Sequence, residues 1–105
     1  MTTEWKTVLE KYLKLDTFHQ VTWLSNLLYI ISMMARSTYE AGTEKVIQPE
    51  LLRRYNELLH RISTQQFFIA RGVLNRMPDD VFFEMIYEEI EYLGITSSVI
   101  NLLNR

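Results

Sequence analysis

The sequence predicts an all-α, single-domain protein, an up-and-down four-helix bundle with long central second and third helices and a short C-terminal fifth helix. Three observations predict it. Apolar residues recur at spacings of three and four along most of the 105 residues. Only 3 glycines and 2 prolines interrupt them, which suits long helices better than turn-rich β structure. The best strand candidate, Glu44 to Gln48, is too short to form a sheet by itself. No internal repeat, low-complexity tract or linker divides residues 1–105.

The first helix is expected over Thr3 to Leu15, with Trp5, Val8, Leu9, Tyr12 and Leu13 on one stripe. Thr17 then offers a capping box, because Gln20 three residues later can return a bond to the cap. The second helix runs from Phe18 to Ala41, and Gly42 follows where a left-handed stop is wanted. The third starts at Pro49, whose missing N–H has no intrahelical partner at that position anyway. Gln48 is its expected cap, with Ile47 and Leu52 placed as a hydrophobic staple. It is expected to pass through Gly72 to Met77 and to stop at Pro78. Asp79 or Asp80 caps the fourth, where a carboxylate meets free N–H groups and the positive dipole end. Gly94 ends it, with Ile90 and Ile95 at the contact positions of a Schellman stop. Thr96 or Ser97 caps the short last helix, "SVINLLN". The second and third helices should form an antiparallel hairpin about 36–40 Å long.

Composition removes several functions. With no cysteine there is no disulfide, thiolate metal site or thiol nucleophile. The net charge of −2 argues against nucleic acid and against an anionic membrane surface as partners. Val21 to Ala35 is the most apolar segment but is shorter than the about 20 residues a bilayer requires. The N-terminal "MTTEWKTVLEK" lacks an apolar signal core, so a cytoplasmic location is expected.

Charge is uneven. Residues 48–77 carry five arginines against two glutamates, a balance of +3, whereas residues 78–94 carry six carboxylates and no base. The two helices should therefore attract one another, each exposed contact contributing a few tenths of a kcal/mol. Glu84, Glu88 and Glu91 form a water-facing stripe on a helical wheel, but Glu89 falls inside the apolar arc. A buried carboxylate needs a cation, and Arg36 or Arg76 is the expected partner.

Glu57-Leu58-Leu59-His60 has the Glu-x-x-His spacing of di-iron bundles. On a wheel with Tyr55 at zero, His60 falls near 140° and Glu57 near 200°, both turned from the bundle centre. A carboxylate-bridged metal pair needs inward ligands and further glutamates, so no metal and no cofactor is expected. An outward histidine on a long helix resembles the phosphoacceptor of histidine phosphotransfer domains. That resemblance implies a signalling module in which His60 accepts phosphate. The chain departs from the motif after His60: Arg61, Ile62, Ser63 and Thr64 stand where a small residue, leucine, lysine and glycine are typical.

The apolar face of the second helix is wider than one core contact requires. Trp23, Ile30 and Met33 extend it well beyond the Leu24 stripe, and Phe68 lies off the core of the third helix. Aromatic residues and methionine are enriched at interfaces, so Trp23, Ile30, Met33 and Phe68 form the expected partner-binding surface. The resulting expectation is a non-enzymatic protein, regulatory or adaptor in character, that binds another protein or forms a homodimer.

Overall fold

The computed structural model describes residues 1–41 and 49–105. Gly42, Ile47 and Gln48, and with them the expected stop and staple, lie outside the described residues. The described residues form five helices and no strand: α1 (Thr3–Leu13), α2 (Thr17–Ala41), α3 (Pro49–Ala70), α4 (Asp79–Leu93) and α5 (Thr96–Leu103).

The long helices α2 and α3 pack side by side. Gln66 fixes their register, its Nε2 donating to the Val21 carbonyl at 2.8 Å and to Ser25 Oγ at 2.6 Å. α4 lies on α3 and α1 lies on α4. α5 is no loose appendage, for it packs against α1, α2 and α4 together. Its Val99 and Ile100 are buried with Leu24, Leu27 and Ile31 of α2 and with Ile86 and Ile90 of α4. Burying one such side chain stabilises the fold by about 1.5–3 kcal/mol. The molecule measures 44 × 27 × 20 Å.

An aromatic cluster joins α1, α2 and α4. The Phe83 ring lies 4.9 Å from Tyr12, 5.4 Å from Trp23 and 5.6 Å from Trp5 between centroids. Trp5 is fully buried, and its Nε1 donates to the Phe83 carbonyl at 2.8 Å. The Tyr12 hydroxyl, by contrast, is buried without a hydrogen-bond partner. Burial raises its pKa, and the nearby Asp79 carboxylate adds to the rise. Loss of a hydroxyl that has no partner removes a desolvation cost at little change in shape. Tyr12→Phe is therefore expected to leave stability unchanged or to raise it by about 1 kcal/mol in urea unfolding. A loss of that size would instead reveal a bond to water.

Helix ends depart from the sequence expectation in five places, the first at α1, which stops at Leu13 rather than Leu15. α3 stops at Ala70 rather than Met77. Gly72 adopts φ +69°, its N–H reaches the Ile69 carbonyl at 3.1 Å, and Val73 N–H reaches Phe68 at 3.0 Å. This is a Schellman stop like the one formed by Gly94, where Gly94 bonds Glu91 and Ile95 bonds Ile90. Residues 71–78 then fold back, and Gln65 Nε2 holds the Met77 carbonyl at 2.8 Å. At α4 the cap position is Pro78, which has no side-chain bond, while Asp79 sits in the first turn and pairs with Arg76 at 2.9 Å. At α5 the cap position is Ile95, again without a side-chain bond; Thr96 opens the helix instead of capping it.

The fifth departure is at α2. Asp16 takes the capping role expected of Thr17, its Oδ1 accepting the His19 N–H at 2.8 Å. Gln20 turns instead to the Tyr12 carbonyl at 3.2 Å, tying α1 to α2. The Asp16 pKa lies below its ordinary value, first through the His19 backbone N–H and then through the His19 ring at 2.7 Å. A depressed carboxylate stabilises the fold above its unfolded pKa and loses that contribution as pH falls through the folded value. Asp16→Asn keeps a capping oxygen but not the charge. Its melting temperature should fall less than that of the parent between about pH 6 and pH 3.

Candidate functional site

The outer face of α3 and its junction with α4 carry the candidate site. Because α3 stops at Ala70, residues 71–78 fold back and leave a groove of about 350 Å³ between α3, α4 and this connector. Phe68, Met77, Phe82 and Met85 supply its apolar lining. His60, Arg61, Asn75 and Arg76 supply polar edges, and no carboxylate lines it.

Two further hollows adjoin the groove. One, of about 600 Å³, runs along the first turns of α3 from Pro49 and shares His60 and Arg61 with the groove. The other, of about 330 Å³, surrounds Leu74 and Pro78 and shares Arg76 and Met77 with it. Leu74, which lines this second hollow, is 99% exposed. Through these shared residues the three hollows form one interrupted trough, from the first turns of α3 to the 71–78 connector.

The charges along this trough differ in their engagement. Arg53 is held by its own helix: its Nε donates to Glu50 at 3.0 Å and its Nη1 pairs with Glu57. Those contacts raise the Arg53 pKa and hold the Glu50 carboxyl below its ordinary value. Arg76 pairs with Asp79. Arg61 is exposed and makes no hydrogen bond or ion pair among the described residues. His60 is exposed too, at the junction of two hollows.

Glu57 and His60 both face solvent, as the wheel requires. Among the described residues no three histidine, aspartate or glutamate side chains gather as a metal-binding group. Glu89 is largely covered, and its partner is Arg54 rather than Arg76, with Nε and Oε2 3.5 Å apart. That is an ion-pair distance, too long for a good hydrogen bond. The Arg54 guanidinium also lies over the Tyr92 ring, 4.0 Å from its centroid. This pair links α3 to α4 beside the core.

The four residues expected to form one partner surface are dispersed. Ile30 is a core residue, 3% exposed, and is not available to a partner. Trp23 is half-buried in the aromatic cluster, its ring 5.0 Å from Tyr12 as well as close to Phe83. Tyr12 of α1 and Phe83 of α4 thus cover the Trp23 face that the wheel left open. Met33 is half-buried and lines a shallow hollow with Tyr29, Met34, Arg36 and Ser37. Phe68 alone reaches the groove. Sequence reading missed Met77, Phe82, Met85 and Leu74; the detectable signal was the Gly72-to-Pro78 segment, whose glycine could end a helix as Gly94 does.

No protein-family model, curated protein or solved structure matches the chain, and no helix of the described residues is long and apolar enough to cross a membrane.

Proposed function

We propose that this chain is a cytoplasmic, non-enzymatic helical module, regulatory or adaptor in role, that binds another protein along the outer side of α3. The observation that carries this reading is the groove at the α3–α4 junction, with an apolar lining, polar edges and a fully exposed Leu74 beside it. Interfaces of this kind combine a desolvated apolar anchor with a polar rim. Its framework we read as an up-and-down bundle of α1 to α4, supported by the close α2–α3 and α3–α4 pairs, with α5 added across one side.

A photoreactive phenylalanine analogue at Asn75, an exposed groove residue, tests the reading in extract of the native cell. Discrete crosslinked protein species that disappear in the Phe68→Asp variant are expected. A folded probe that yields no crosslinked species removes the reading.

Self-association is the second form of the same proposal. Tyr29, 63% exposed beside half-buried Met33, is the surface on α2 that supports it. Light scattering at two concentrations should then show mass above 12.6 kDa at the higher one. A reading of His60 as phosphoacceptor is supported by its exposure between two hollows. It requires mass gain on incubation with a phosphodonor, absent from His60→Ala.

A further inference from the structure

We propose that the α3–α4 groove takes an acidic peptide segment of a partner protein, anchored by a bulky apolar side chain. This rests on the protein-binding reading above and adds the chemistry of the partner. The argument is charge complementarity around an apolar lining. The groove is edged by Arg61, Arg76 and His60 and contains no lining carboxylate. This holds in a chain whose net charge is −2 and whose α4 exposes Glu84, Glu88 and Glu91 nearby in sequence. An acidic overall surface with a locally basic groove steers an anionic segment to one place.

Arg61 is the decisive group. It spends no charge on a neighbour, whereas Arg53 and Arg76 are each held by a carboxylate of this chain. A partner carboxylate can therefore pair with Arg61 without breaking an existing contact. The apolar lining of Phe68, Met77, Phe82 and Met85 accepts the anchor side chain. Two methionines make that lining adaptable in shape. The adjoining hollows carry Glu57 and Asp79, so the acidic residues of the segment belong at the groove itself, beside Arg61.

A second copy docked groove to groove fits poorly. Closed dimers are mostly two-fold, and a two-fold axis here would bring basic edges against basic edges. A separate acidic partner meets no such repulsion.

A displayed library of random 12-residue peptides, about three times the length of one helical turn, panned on the full chain tests this. Enrichment of peptides with a large apolar residue flanked by aspartate or glutamate is expected. Binding of a synthesised winner should weaken about tenfold or more in Arg61→Glu and in Phe68→Ala. It should also weaken as ionic strength rises from about 0.05 M to 0.5 M. Arg61 is exposed, so circular dichroism should show Arg61→Glu folded like the parent. Enriched peptides that are neutral or basic, or that bind Arg61→Glu as well as the parent, overturn the acidic-segment proposal and leave protein binding standing. No enrichment overturns it as well, and with a blank crosslink at Asn75 it removes the protein-binding reading too.

Discussion

Trp5→Ala is expected to cost about 3–5 kcal/mol, a large fraction of the about 5–15 kcal/mol that holds a domain of this size folded. Trp5 is fully buried, so the substitution opens a cavity among Phe83 and Tyr87 as well as exposing apolar surface. It also deletes the Nε1 bond to the Phe83 carbonyl. Trp5→Phe separates the two effects, because it keeps most of the ring and loses the bond, at about 1–2 kcal/mol. Urea unfolding followed by far-ultraviolet circular dichroism measures both. A Trp5→Ala loss under about 1 kcal/mol would show that α1 is not fastened through this residue.

Phe83→Ala should be of similar size, about 3–5 kcal/mol, for a different reason. Its ring is the hub of the cluster: besides the α1 and α2 rings it meets Phe82 at 6.0 Å. Removing it withdraws support from α1, α2 and α4 at once. Trp5 and Trp23 are the two tryptophans, and both lose a neighbouring ring, so native fluorescence should shift to longer wavelength. Trp5→Phe and Phe83→Leu share contacts, so their costs combined should differ from the simple sum by about 0.5 kcal/mol or more. Strict additivity would mean that the rings act independently despite their contact.

Much of this fold was legible. The Trp5, Val8 and Tyr12 stripe of α1, without Leu13, which is exposed, and the stop at Gly94 follow from spacing, φ preferences and hydrogen-bond accounting, all local in the chain. The stop at Gly72 has the same chemistry as that at Gly94. It was obscured because Val73, Asn75 and Arg76 continue a helix-compatible pattern up to Pro78. Asp16 displaced Thr17 as the cap because both residues suit that role, and one residue of register decides between them.

The candidate site was less legible, for a physical reason. A helical wheel says which way a side chain points but not which helix lies there. Ile30 points away from Leu24 and still lands in the core, since helices lie on more than one side of α2. Glu89 was placed in the apolar arc from sequence, but its pairing with Arg54 depends on the α3–α4 register. The groove depends on a chain reversal that the wheel for a continuous helix cannot represent. The outward direction of Glu57 and His60, by contrast, needs only the local helix and was read directly.

The bond from Trp5 to Phe83 also has a meaning in time, because it closes a separation of 78 residues. Contacts so distant in sequence carry a large loop-closure cost and tend to form late. The α3–α4 junction needs only the short 71–78 connector and can form early. α1 packs mainly against α4 and α5, with Tyr12 as its tie to α2. Weakening its attachment should therefore speed unfolding while leaving the folding rate nearly unchanged, which makes α1 the part of this protein that sets how long the native state lasts.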